Sequence, residues 1–209
     1  MSSRLNNPKY LVSAWPCNSH VQDVVRANNG TWTGTPTYQT GPFNGHSVGY
    51  FNGASFVGCG ADTSLDYRNE GSFSAWFNVD NVAATIKDII RRKHASGLWM
   101  RVEIGGQFST NVPGVNSRYS VVTIVPGVLY HVVVCFDATS LDVYFNGALT
   151  DSVASGGIMT SLAGETFCIG ASGPVASEYF AGSIFNVRDY RCKFTGDEVK
   201  ELFDLERRQ

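Results

Sequence analysis

Tight-turn dipeptides constrain this chain more than any other feature. Asn-Gly occurs at Asn29-Gly30, Asn44-Gly45, Asn52-Gly53 and Asn146-Gly147. Both residues tolerate the positive φ that a two-residue type I′ hairpin requires. Between the turns lie short runs rich in β-branched and aromatic residues. Ser120–Val125 stops at Pro126-Gly127 and is followed by Leu129–Asp137. A short Asp-Ala-Thr-Ser turn leads into Leu141–Phe145, and Asn146-Gly147 then reverses the chain into Ala148–Val153. Three strands joined in order by short turns predict an antiparallel meander. Along Tyr130–Asp137, Tyr130, Val132, Val134 and Phe136 share one face, and His131, Val133, Cys135 and Asp137 the other. Both sets are largely apolar, which predicts a central strand covered on both sides.

Further strands are predicted at Val48–Phe51, Ala54–Cys59, Gly71–Val79, Leu98–Ile104, Gln107–Asn111, Thr166–Gly170 and Tyr179–Tyr190. Phe-Asn-Gly recurs three times at unequal spacings, so it is reused turn chemistry and not a repeat array. Ala84–His94 reads two ways: Ile86, Ile89 and Ile90 fit helical spacing, while their β-branching favours a strand. Its Arg91-Arg92-Lys93 cluster is expected to be a solvated strand end.

The last fifteen residues, Thr195–Gln209, hold eight of the chain's 34 charged residues. Thr195 and Glu198 have capping-box spacing. Val199, Leu202 and Phe203 mark one apolar face, and Arg207 and Arg208 suit a helix C-terminus. The pattern predicts one all-β domain over residues 1–209, with its core at about 11–205. It is a two-sheet antiparallel β-sandwich of jelly-roll type with a short C-terminal helix docked on it.

Composition narrows the function classes. The net charge of −2 argues against nucleic acid as a partner. No apolar run reaches the roughly 18 residues of a membrane span, so no membrane insertion is expected. Aromatics at 12% of the chain argue against disorder. The first residues carry no stretch of signal-peptide length. Cys17, Cys59, Cys135, Cys168 and Cys192 are odd in number and lack C-x-x-C spacing, so buried free thiols are expected.

Several segments together resemble the laminin G-like branch of the concanavalin A-like lectin/glucanase superfamily. GSFSAWFNV (Gly71–Val79) looks like that family's aromatic-centred strand. YHVVVCFDATSLDVYFNGALTDSV (Tyr130–Val153) resembles its aromatic-His strand and Tyr-x-Asn-Gly hairpin. FCIGAS (Phe167–Ser172) looks like its Ile-Gly strand, and Tyr179–Phe203 resembles its closing strand and capped helix. Ala14-Trp15-Pro16 and Asn28-Asn29-Gly30-Thr31 resemble the opening strand and its loop. The resemblance spans roughly Leu11 to Leu205. It implies a concanavalin A-like sandwich but fixes no function, because such folds host lectins, adhesion modules, enzymes and structural domains.

Glycosidases of the superfamily place two carboxylates on one strand in alternation, and retaining hydrolysis needs them roughly 5–5.5 Å apart. Glu103 stands alone in Arg-Val-Glu-Ile-Gly, and Glu70, Glu165 and Glu178 have no carboxylate at i+2. Asp197, Glu198 and Glu201 serve the helix start. Nucleophile-elbow, His-Glu-x-x-His and phosphate-loop motifs are absent. His131 reads as a packed strand residue. No catalytic residues are therefore assigned. No cofactor is called for. The resemblance leaves room for a structural Ca2+ at Asp23 and Asn28, but Phe185 and Asn186 stand where the closing strand would carry acidic ligands.

Sugar recognition combines a stacking aromatic with planar polar groups. Trp32, Tyr38, Trp99, Tyr119 and Tyr179 lie near strand ends, whereas Trp15 and Trp76 read as core. Trp99 with Arg101, and Arg118 with Tyr119, form the candidate ligand-binding set, since arginine can hydrogen-bond a glycan or an acidic group bidentately. Asn29-Gly30-Thr31 is a sequon without an accompanying export signal. The first reading is thus a non-catalytic recognition or adhesion module for a glycan or cell surface. The second is a virion surface protein, a capsid decoration or fibre component, partnered by other virion proteins. It fits a chain with no signal peptide and no disulfide pattern that nonetheless carries a fold used outside cells. A glycan-active enzyme is the third. Low charge leaves room for a homo-oligomer.

Overall fold

The computed structural model describes residues 4–173 and 177–208. Its strands are β1 (Leu11–Trp15), β2 (Thr31–Thr33), β3 (Tyr38–Thr40), β4 (Ser47–Asn52), β5 (Phe56–Gly58), β6 (Gly71–Val79), β7 (Lys87–Arg92), β8 (Leu98–Val102), β9 (Gln107–Val112), β10 (Asn116–Thr123), β11 (Tyr130–Phe136), β12 (Ser140–Phe145), β13 (Ala148–Ala154), β14 (Phe167–Ile169) and β15 (Ala181–Tyr190), followed by helix α1 (Gly196–Glu206). One sheet runs β13-β12-β11-β6-β15-β4-β3, with β1 also paired to β15. The facing sheet runs β10-β9-β8-β7-β14-β5-β2. This is the antiparallel β-sandwich that the turn pattern predicts. The ambiguous Ala84–His94 segment resolves as a strand.

The meander forms as expected, with Val134 opposite Val143 and Leu141 opposite Val153. Asn146 and Gly147 both have positive φ (50° and 83°), as a type I′ turn demands. Asn44-Gly45 does the same. At Asn52-Gly53 only the glycine has positive φ, and at Asn29-Gly30 neither residue does. Gly30 instead serves close approach. Its N–H donates to the Val21 carbonyl, and a Cβ there would lie 2.5 Å from that oxygen.

The two faces of β11 bury into different clusters. Tyr130, Val132, Val134 and Phe136 join the core between the sheets, while Val133 and Cys135 pack beneath α1 with Tyr144, Tyr190, Phe194, Val199 and Leu202. Each such side chain contributes roughly 1.5–3 kcal/mol by leaving water. Trp15 and Trp76 are buried, as read from the sequence. The helix opens on the predicted capping box, Thr195 and Glu198. Arg207 and Arg208 lie past its last turn, and the Arg207 guanidinium rests 5.1 Å from the Phe203 ring. At this same end the Glu206 carboxylate is fully buried. It accepts from Trp76 Nε1 (2.7 Å) and pairs with Arg188 Nε (2.7 Å), fixing the helix to the sheet.

The basic cluster overturns its expectation. Arg91 and Arg92 are 4% and 2% exposed, and only Lys93 reaches solvent. Arg92 donates to the carbonyls of Leu65 (2.6 Å) and Glu165 (2.9 Å). It also faces Asp189, whose carboxylate accepts from the Tyr67 hydroxyl. A guanidinium with five fixed donors can be satisfied by carbonyls in the interior, where a lysine would be poorly matched.

Burial pushes the Asp189 carboxyl up to about 7, against the opposing pull of Tyr67, Arg92 and Arg191. The folded state therefore binds a proton that the unfolded chain releases near 3.8. Stability carried by this group is present below the unfolded value and is lost as pH rises through the folded one. Urea unfolding of wild type should show a loss on the order of a few kcal/mol across that window, and Asp189→Asn should flatten it. Gly170 gives a second check. Its φ is +85°, and a Cβ would sit 2.4 Å from the Phe51 ring. Gly170→Ala should cost about 3 kcal/mol in the same measurement.

Candidate functional site

Cross-strand register decides which candidate residues share a face. Trp99 of β8 lies opposite Asn111 of β9, which lies opposite Ser117 of β10. One step along, Arg101 is opposite Ser109, and Ser109 is opposite Tyr119. Directly opposed residues project to the same side of a sheet. Trp99, Arg101 and Tyr119 therefore stand on one face, the outer face of the second sheet. Their neighbours Met100, Val102 and Phe108 point into the core.

Arg118 belongs to the other side. It lies opposite Thr110, itself opposite Met100. Its Nε and Nη2 donate to Asp151 Oδ1 on β13 (3.0 and 2.9 Å). Asp151 also accepts from the Ser120 hydroxyl and the Val121 N–H. Arg118 thus ties the edge strands of the two sheets together. Its closeness to Tyr119 in sequence does not bring it to the aromatic face.

On the outer face the Trp99 indole is contacted by two guanidiniums, Arg91 at 4.8 Å and Arg101 at 4.5 Å from the ring centroid. Its Nε1–H is shielded from water without a hydrogen-bond partner among the described residues. Arg101 Nε donates to Glu103 Oε1 (2.7 Å) and to Ser109 Oγ (3.2 Å), and Ser109 Oγ donates to Glu103 (2.5 Å). Tyr119 is 55% exposed and offers a free ring beside this polar row. Cation–π contacts and charge-assisted hydrogen bonds hold Arg101 in a fixed geometry.

Beside the row, on the same face, lies a carboxylate cluster that sequence spacing does not reveal. The Asp88 side chain is fully buried, and Arg91 Nη1 lies 3.5 Å from both Asp88 Oδ1 and Glu178 Oε2. Burial pushes the Asp88 carboxyl well above the usual carboxylate range, and Glu178 adds to the shift. Glu178 has a positive φ of 58°, and its carbonyl accepts the Asp88 N–H (3.0 Å). The signal that could be read was the alternation Trp99-x-Arg101-x-Glu103, which puts three polar or aromatic groups on one face. Asp88 and Glu178 are too far apart in sequence for any motif to join them.

The other candidate aromatics are tied to protein partners. Trp32 Nε1 donates to the Tyr38 hydroxyl (3.0 Å), and the Trp32 ring packs 4.8 Å from Phe51. Tyr179 lies 6.4 Å from Phe56. His131 is buried 4.8 Å from Trp76, and burial lowers its value to about 3, so it is neutral. The residues considered for Ca2+ do not fit that role. Asp23 accepts from the N–H groups of Ala14, Val25 and Asn28, and the Asn28 amide donates to Ser13 and Ser64. Their oxygens and amides organise the loop after β1. Among the described residues, no three His, Cys, Asp or Glu gather to hold a metal, and no helix is long and apolar enough to cross a membrane.

A laminin G profile described as the concanavalin A-like lectin/glucanases superfamily matches residues 51–200. No curated protein sequence matches the chain. Among solved structures, domain 4 of AbnA, a GH43 extracellular arabinanase from Geobacillus stearothermophilus solved in complex with arabinotriose, is similar at TM-score 0.70. It is 20% identical, with 92% of this chain and 97% of that one covered. The binding domain of Paraclostridial Mosquitocidal Protein 1 is similar at TM-score 0.74 and 14% identity, over 95% of this chain and 53% of that one. A structure of botulinum neurotoxin type C, whose cell entry depends on interaction with two ganglioside molecules, is similar at TM-score 0.63 and 14% identity, over 95% and 51%. The chain thus spans about half the length of the toxin chains it resembles.

If Arg118 is an inter-sheet tie, Arg118→Ala should lower stability by about 1–3 kcal/mol, because it strands the buried Asp151 carboxylate. Chemical denaturation checks this, and binding measured on the folded fraction should be unchanged.

Proposed function

The chain belongs to the concanavalin A-like lectin/glucanase superfamily, and from that premise we propose that it is a non-catalytic module that binds glycans on the outer face of its second sheet. One observation carries the reading: in strand register the exposed Tyr119, Ser109 and Arg101 form a row across β10, β9 and β8, with Trp99 on the same face. Tyr119 supplies the stacking surface. Arg101, held by Glu103 and Ser109 and with Nη1 3.9 Å from Glu178 Oε1, keeps Nη2 for a sugar hydroxyl or an acidic substituent. Asn111 and Ser117 extend the polar row toward the sheet edge. The arabinotriose complex of one structural neighbour and the ganglioside dependence of another support glycan as the ligand class.

Nothing in the row favours hydrolysis. Glu103 is engaged by Arg101 and Ser109, and Asp88 is closed off from solvent. A second reading, display on a virion surface, draws on the five cysteines, all free and buried, which suit assembly in a reducing cytoplasm. Co-purification with particles at fixed stoichiometry would support it.

A glycan array probed with and without chelator tests the main reading. Binding is expected in both conditions. Tyr119→Ala should weaken the best ligand roughly tenfold or more, with Trp99→Ala similar through loss of Arg101 positioning. An array on which no glycan binds would sink the proposal.

A further inference from the structure

The opposite face of the sandwich carries a cleft that the Tyr119 row does not use. It lies where β15 is irregular. The pairing of β15 with β6 shifts register between Phe185 and Arg188, and Asn186 takes a left-handed conformation (φ +48°). Its N–H donates to the Pro16 carbonyl (3.0 Å). A non-glycine residue held at positive φ is uncommon and concentrates at functional positions. Two cavities, of about 170 and about 300 Å3, both border Pro16 and Asn186.

The smaller cavity has the chemistry of a sugar subsite. Phe43 forms an aromatic wall, edge-on to Trp76 at 4.9 Å and to Phe185 at 6.1 Å. Asn18 lines it and is half-buried; its Oδ1 has no donor among the described residues, so turning the side chain into the cavity to meet a ligand breaks no hydrogen bond of that oxygen. A buried acceptor left unpaired costs about 1–3 kcal/mol, so a donor arriving there has a built-in gain. The Glu206 carboxylate at the cavity is balanced by Arg188, and the adjoining His131 is neutral. The lining thus carries no uncompensated buried charge. His46 stands at the exposed rim, and an apolar ligand would leave Asn18 unsatisfied.

We propose that this cleft is a second saccharide site, which seats a neutral sugar ring against Phe43 with a hydroxyl donating to Asn18 Oδ1 and Asn186 alongside. The proposal rests on the glycan-binding reading but on none of the residues that carry it. The larger cavity, bordered by Val24, Ala14 and Arg188, leaves room for the chain to continue beyond one ring.

The test is a 1H–15N chemical-shift titration of the full chain with arabinose, arabinotriose, galactose and N-acetylglucosamine, up to tens of millimolar. Saturable shifts are expected at the amides of Asn18, Phe43 and Asn186 with at least one of these sugars. They should persist in Tyr119→Ala. Asn18→Ala should weaken them at least about tenfold. Asn186→Gly keeps the left-handed backbone and removes only the side chain, so it should fold and still lose affinity. Shifts confined to Tyr119 and Arg101 would overturn the second site and leave the first standing. Shifts confined to the cleft would do the reverse. Cleft shifts indifferent to Asn18→Ala and Asn186→Gly, or no shifts with any sugar, would overturn the proposal.

Discussion

The pairing of β15 holds the molecule together. Its first half bonds β4, its second half bonds β1, and β6 flanks both. One strand near the end of the sequence thereby joins elements from the beginning and the middle. Such contacts close very long loops, so the sheet can be completed only after β15 is made and placed. Two partners on one edge require a change of register part-way, and Asn186 supplies it. The irregularity that lets β15 serve both β4 and β1 is also what opens the cleft at Pro16.

A chain with few charged residues has put several of them inside. Glu206 pairs with Arg188 and accepts from Trp76 under the end of α1, and Arg92 donates to the carbonyls of Glu165 and Leu65, the latter in the 3-10 turn at Thr63–Leu65. Buried ion pairs often add little net stability, because desolvation offsets their attraction. They do penalise wrong arrangements. A helix docked one turn away would leave Glu206 buried and unpaired, and a slipped β7 would strand Arg92 against apolar side chains. These groups fix the position of α1 and the register of β7, and β7 in turn sets the row that holds Trp99 and Arg101.

Much of the architecture was legible because it is written locally. Gly71–Val79 reads as a strand to the residue, Asn146-Gly147 marks the β12–β13 hairpin, and Thr195 and Glu198 mark the helix start. What local pattern could not give was long-range satisfaction. Arg91-Arg92-Lys93 looks like a solvated end, since nothing nearby in sequence shows the carbonyls of Leu65 and Glu165 waiting for Arg92. The candidate site was half legible for a simple reason. Trp99 and Arg101 are two apart and must share a strand face. Arg118 and Tyr119 are one apart and cannot, so only one of them could join the pair. Deciding which required the register of β9 against both neighbours.

That register also divides the labour among the aromatics. Trp99 is held by two guanidiniums, so its indole orients Arg101 and leaves little open surface for a ligand ring. Tyr119, on the edge strand β10, has no such partner and keeps its face free. The buried Asp88 and the partly buried Glu178 beside Arg91 complete the support, because they anchor the far guanidinium and with it the tilt of the indole. The platform is therefore built across one face: carboxylates fix the first arginine, the arginines fix the tryptophan, and the exposed tyrosine meets a polar row whose geometry is set before any ligand arrives. Such preorganisation lowers the ordering cost of binding, which lets a small, shallow surface recognise a sugar.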